Sequence, residues 1–141
     1  AYLHQKPYLF HGTVRDNLLY PIRLSGIPAK QREHHLRQFI RDTTLEKLLS
    51  RDSKFLSGGE AQRVALTRAM LSPRPYLLFD EPTTHMDEAI KAELLQQLTQ
   101  LRTAGRTAVV VSHDLNQDWL KAADGLMRLE NGALTATESY P

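Results

Sequence analysis

Two short apolar runs, Tyr76–Phe79 and Ala108–Val111, bracket a helix-periodic segment, Asp87–Ala104, and this pattern limits the fold more than any other feature of the chain. Each run is strand length and almost continuously apolar, as expected of a parallel strand buried on both faces. Between them Ile90, Leu94, Leu98 and Leu101 recur at helical spacing, and Gly105 supplies the stop. Strand, helix, strand is the right-handed crossover unit of a parallel sheet. Such sheets place ligands beyond the carboxyl ends of their strands. The residues that follow each run therefore carry the most information: Asp80-Glu81-Pro82 after the first, Ser112-His113-Asp114 after the second.

Other elements follow from the same cues. Tyr2-Leu3-His4 reads as a strand end leading to Gln5 and Pro7. Thr13–Tyr20 is a short helix with Thr13 as its cap and Asp16 at capping-box spacing. Pro21, Gly26 and Pro28 then interrupt the chain. Ala29–Arg41 is a helix with Leu36, Phe39 and Ile40 as its apolar stripe, and Leu45, Leu48 and Leu49 mark another short helix. Ser57 opens a helix running to Leu71, again with capping-box spacing to Glu60, and Pro73 and Pro75 end it. A helix over Leu115–Ala122 precedes two strands, Leu126–Glu130 and Ala133–Thr137. These flank Asn131-Gly132, a pair suited to a type I′ turn.

Composition excludes several classes. The 141 residues fit one domain or most of one. A net charge of +2 is too balanced to imply nucleic-acid binding. Cysteine is absent, so disulfides and thiolate metal sites are ruled out. Apolar runs are strand length, short of a membrane span. His34 and His35 are adjacent on a helix and cannot face one metal, and His4 and His11 are isolated. The chain opens at Ala1, directly in strand-like sequence, and its true start is expected upstream.

Three stretches carry chemistry. In Leu56-Ser57-Gly58-Gly59-Glu60, two glycines behind a capping serine let a phosphate approach backbone N–H groups at the positive end of a helix. Asp80 and Glu81 bring two carboxylates to a strand tip, where one can organise Mg²⁺ and the other can polarise a water. His113 ends the next strand.

Taken in order, these stretches resemble the ABC (ATP-binding cassette) transporter ATPases. Leu56–Glu60, with the following Gln62-Arg63-Val64-Ala65-Leu66, resembles the signature, and Tyr76–Pro82 the Walker B strand. Gln5, ahead of Gly12-Thr13-Val14-Arg15-Asp16-Asn17, resembles the Q-loop. Asp87 resembles the D-loop aspartate, although His85 and Met86 before it are bulkier than usual, and His113 resembles the switch histidine. The phosphate-loop pattern G-x-x-x-x-G-K-[ST] occurs nowhere.

The resemblance implies an α/β fold of the P-loop NTPase (RecA-like) type, with a helical signature subdomain at about 13–72, core at 1–12 and 73–141, and the Walker A part missing. It implies ATP and Mg²⁺, with Asp80 and Gln5 at the metal, Glu81 and His113 catalytic, and Ser57, Gly58 and Gly59 serving a nucleotide held by another protomer. Its partners would be a second ATP-binding subunit in a head-to-tail dimer and a transmembrane permease that holds the chain at the cytoplasmic face of the membrane. No nucleic acid is implied. Ser50–Phe55 lacks the glutamate- and glycine-rich run of many exporter domains, which resembles a stand-alone bacterial subunit, of importer type.

Two alternatives stay open. One is a chromosome-maintenance or repair ATPase, against which Pro21, Gly26 and Pro28 break any heptad run before the signature. The other is a non-enzymatic remnant or complementing half. The family's sheet order also implies that the strands before Gln5, Asp80 and His113 are neighbours, and that the strand at Leu126–Leu129 has no parallel partner in this chain.

Overall fold

A computed structural model of the chain describes residues 1–41, 43–84, 86–113 and 117–137. His85, Asp114 and Leu115, which figured in the expectations above, lie outside the described residues. The elements run β1 (Tyr2–Leu3), α1 (Val14–Arg23), α2 (Ala29–Phe39), two 3₁₀ turns (Thr44–Leu48 and Ser53–Phe55), α3 (Gly58–Met70), β2 (Tyr76–Asp80), α4 (Glu88–Thr103), β3 (Thr107–Val111), α5 (Gln117–Ala122), β4 (Leu126–Glu130) and β5 (Ala133–Thr137).

The parallel crossover forms as expected. The sheet has the order β1-β2-β3, and both pairings are parallel, with Tyr2 opposite Leu78 and Leu78 opposite Val109. All three strands therefore point their carboxyl ends to one edge. α4 connects β2 to β3, capped by Asp87, whose Oδ1 accepts from Ile90 N at 2.9 Å, and it ends before Gly105 at φ +75°.

One expectation fails here. The strands are not buried on both faces. Leu77 and Phe79 are 0% and 1% exposed, but Tyr76 and Leu78 are 67% and 47% exposed, and Val109 and Val111 share their bare face. The reason is topological. α3 and α4 both send their apolar residues (Leu66, Met70, Leu94, Leu101) into the cluster around Leu77 and Phe79. Among the described residues no element covers the opposite side.

A second cluster fills the helical region. Leu18, Ile22, Leu36, Ile40, Leu45 and Val64 are all fully buried in it. α1 starts on the expected capping box, with Asp16 N donating to Thr13 Oγ1 and Thr13 N to Asp16 Oδ2, both at 3.1 Å. It does not stop at Tyr20, however, but continues through Pro21 to Arg23. Proline inside a helix removes one hydrogen bond and costs about 3 kcal/mol. Burial of Leu18, Leu19, Pro21 and Ile22 against α2 and α3 offsets that. α2 ends at Phe39, two residues short of Arg41.

β4 and β5 form a separate antiparallel hairpin, turned by Asn131 (φ +49°) and Gly132 (φ +80°). The expected loss of a parallel partner for the closing strand is met: among the described residues β4 pairs only with β5. Met127, Leu129 and Leu134 lie exposed on one face of this hairpin.

Candidate functional site

Parallel pairing brings the residues after β1, β2 and β3 to one edge, and there the structure builds a carboxylate-centred network. Glu81 N donates to Val111 O at 2.8 Å, which locks the tip of β2 to the end of β3. The Glu81 side chain then reaches across. Its Oε1 meets His113 Nδ1 at 2.7 Å and accepts from His113 N at 3.2 Å, while Oε2 accepts from Ser112 Oγ at 3.3 Å. The Glu81 side chain is 15% exposed and that of His113 81% exposed, so a shielded carboxylate backs an open imidazole.

Glu81 also sits at φ +49°, in the left-handed region. For a residue with a side chain this costs about 1–3 kcal/mol and persists only where the surroundings hold it. Three contacts do so on the main-chain oxygen: Gln62 Nε2 donates at 3.3 Å, Thr84 Oγ1 at 3.1 Å and Thr84 N at 3.4 Å. Gln62, Thr84 and Ser112 had no role in the sequence reading. Gln62 stood inside the signature string, and its burial at 3% exposure is the property that a sequence pattern does not display.

Asp80 is half-buried at the same edge, and Tyr2 Oη donates to its Oδ2 at 3.4 Å. Gln5 is exposed two residues beyond β1, and no hydrogen bond joins it to Asp80 among the described residues. Among those residues no group of three or more His, Cys, Asp or Glu forms a metal cage. One carboxylate and one amide oxygen beside an open edge suit Mg²⁺, which takes one or two protein oxygens and fills its shell with phosphate and water.

The start of α3 is a separate constellation. Ser57 Oγ accepts from Glu60 N at 3.3 Å, and Ser57 N donates to Glu60 Oε2 at 2.7 Å. That backbone donor, followed by the Ser57 hydroxyl and Arg51, holds the Glu60 carboxyl below its usual range. Helical bonding from the Ser57 carbonyl begins with Ala61 N, so the N–H groups of Gly58 and Gly59 precede the first intrahelical bond. Nothing lies within 4 Å of the position where a side chain on Gly58 would begin, and Gly58 is exposed, while Gly59 is half-buried. Asp87 is exposed and serves as the cap of α4.

Glu81, His113 and Asp80 thus share one edge, and Gln5 follows two residues after the neighbouring β1. Ser57–Gly59 stand apart from them, linked through Gln62. Arg63, buried in α3, pairs with Glu93 of α4 beneath this link.

Residues 1–84 match the family described as ABC transporter. The chain is 38% identical over 138 residues to the molybdenum import ATP-binding protein ModC of Rhodobacter capsulatus, covering 96% of this chain and 37% of that protein. It is 34% identical over 125 residues to the arginine transport ATP-binding protein ArtP of Haemophilus influenzae, covering 88% and 51%. A solved ATP-binding subunit of an ABC transporter superposes with a TM-score of 0.83 at 25% identity, over 96% of this chain and 58% of that one. The chain therefore spans only part of the length of the relatives it matches.

Proposed function

From the premise that the chain belongs to the ABC transporter family, we propose that it is the later part of an ATP-hydrolysing subunit that drives a transmembrane permease. The observation that carries this reading is the Glu81 carboxylate held against His113 at the carboxyl edge of a parallel sheet. Three donors fix the orientation of that carboxylate, so it can polarise an attacking water without reorganising. With Nδ1–H donating to Glu81, the outer Nε2 of His113 carries a proton for a phosphate oxygen in the imidazolium form.

Asp80 and Gln5 are the residues that would hold Mg²⁺, whose charge, when bound, offsets that of the phosphates. Ser57, Gly58 and Gly59 offer a hydroxyl and helix-start N–H groups to a nucleotide carried by a second subunit, head to tail with this one. Asp87, exposed at the start of α4, faces the same dimer seam. The two hydrophobic clusters support a helical subdomain within about 13–72 and a sheet core, with α3 shared between them: Val64 packs in the helical cluster, and Ala65, Leu66, Ala69 and Met70 pack against the sheet. No helix among the described residues is long and apolar enough to cross a membrane, so membrane attachment on the cytoplasmic face is assigned to the permease. Relatives named for import support an importer.

The 141 residues contain no G-x-x-x-x-G-K-[ST] loop, so the isolated chain is expected to show no measurable turnover. In the subunit that carries this chain, assembled with its permease, Glu81→Gln is expected to cut ATP hydrolysis at least about a hundredfold. Unchanged turnover in that variant overturns the reading.

A further inference from the structure

We propose that Gln62 is a positioning residue that holds Glu81 in its catalytic orientation, and so ties the phosphate-facing start of α3 to the carboxylate of the same chain. The inference rests on the reading of Glu81 as the water-polarising group.

The peptide after Glu81 is unusual in its means of support. Pro82 follows, and proline has no N–H, so the Glu81–Pro82 peptide can be anchored by conventional hydrogen bonds only through its oxygen. That oxygen belongs to a residue at φ +49°, a conformation that relaxes unless its surroundings hold it. Two side chains converge on it, Gln62 Nε2 from α3 at 3.3 Å and Thr84 Oγ1 from the loop after β2 at 3.1 Å. Only Gln62 comes from a different element, and it is buried.

Gln62 lies five residues after Ser57 on the same helix, about 7.5 Å along its axis. A helix of this length moves as a rod. Any shift of its start on engaging a phosphate therefore arrives at the Glu81 carbonyl. Turning that peptide moves the Glu81 backbone relative to His113, which meets Oε1, and so re-aims the carboxylate. In a head-to-tail pair, the nucleotide read by Ser57–Gly59 and the water served by Glu81 belong to different sites, so Gln62 links the two.

The test uses Gln62→Met, which keeps the volume and removes the donor. This chain has one Glu-Pro pair, so ¹³C on Glu carbonyls and ¹⁵N on Pro, confined to these 141 residues by segmental ligation, isolate the Glu81 carbonyl signal. In the assembled subunit, Gln62→Met is expected to move that signal upfield. It should also lower kcat for ATP roughly tenfold per nucleotide-binding site, with KM unchanged, as for a misaimed group. Thr84→Val removes the other side-chain donor, leaving only the Thr84 N–H beside Gln62, and should give the same split, which covers a Gln62 variant that fails to fold. A merely structural role would lower the number of binding sites and leave kcat per site unchanged, and that result overturns the proposal. So does a carbonyl signal that stays in place. A parent protein that hydrolyses no ATP although its Glu81 signal responds to Gln62→Met overturns the functional reading beneath it instead.

Discussion

The cluster formed by α1, α2 and the near side of α3 closes around itself, with Val14, Leu18, Ile22, Leu36, Ile40 and Leu45 all fully buried. The three-stranded sheet closes on one side only: Leu77 and Phe79 are inside while Leu78, Val109 and Val111 face out. Both regions are built from equally apolar side chains. The difference is that three short helices with narrow apolar stripes can satisfy one another, whereas a sheet has two faces and needs a layer on each. The helical region is thus the self-sufficient part of this chain, and the sheet depends on a layer that the described residues do not supply. The site residues follow the same division. Ser57–Gly59 begin a helix that spans both regions, with Val64 in the closed cluster and Leu66 and Met70 against the sheet, and Asp80, Glu81 and His113 sit on the half-covered sheet.

The sharpest test of this contrast is a matched pair of leucines. Leu18→Ala is expected to lower stability by about 2–5 kcal/mol in urea unfolding, as for a closed core, and Leu78→Ala by no more than about 0.5 kcal/mol, as for a surface position. Equal losses would mean that the bare face is covered in solution. Glu93→Ala comes next. It leaves the Arg63 guanidinium buried without its partner and removes a charged link between α3 and α4. A loss of about 2 kcal/mol is expected. A change below the error of the measurement would show that the two regions are not joined there.

Acid stability gives a smaller effect. The Glu60 carboxyl lies below its ordinary value of 4.5 in the folded chain, chiefly through the Ser57 N–H. A lowered folded pKa adds stability that is fully present above that ordinary value and is lost as pH falls through the folded one. Glu60→Gln should therefore lower stability slightly and by a constant amount near neutrality, and flatten the profile below about pH 4.5, where variant and parent converge. An unaltered acid limb would break the assignment. Smallest in stability is Val109→Lys on the bare face, expected within about 0.5 kcal/mol. Light scattering should nevertheless show less self-association, because a charge interrupts an exposed apolar strand surface. Undiminished association would move the sticky surface elsewhere, to Met127, Leu129 and Leu134 of the hairpin.

Much of the architecture was legible. Capping boxes at Thr13 and Ser57, the Gly105 stop and the Asn131-Gly132 turn are local chemistry, decided within a few residues, and each formed as read. The crossover from β2 through α4 to β3 was legible because periodicity switches between strand and helix there. Pro21 misled because its local penalty is outweighed by contacts with α2 and α3, which lie elsewhere in the sequence. Tyr76–Phe79 misled because a continuous apolar run marks a strand that could be covered on both faces but does not say what covers it.

By itself, then, the sequence determined which residues form helices and strands and which side chains stand at strand ends and helix starts. Hydrogen bonds, caps and turn dihedrals act over a few residues and leave their mark in order. Only the tertiary structure decided that Glu81 takes a left-handed conformation, that Gln62 reaches its carbonyl and that His113 and Ser112 hold its carboxylate. Those contacts join residues 19 to 32 positions apart. They exist only once the packing of α3 on the sheet and the register of β2 on β3 bring the ends of separate elements within hydrogen-bond reach.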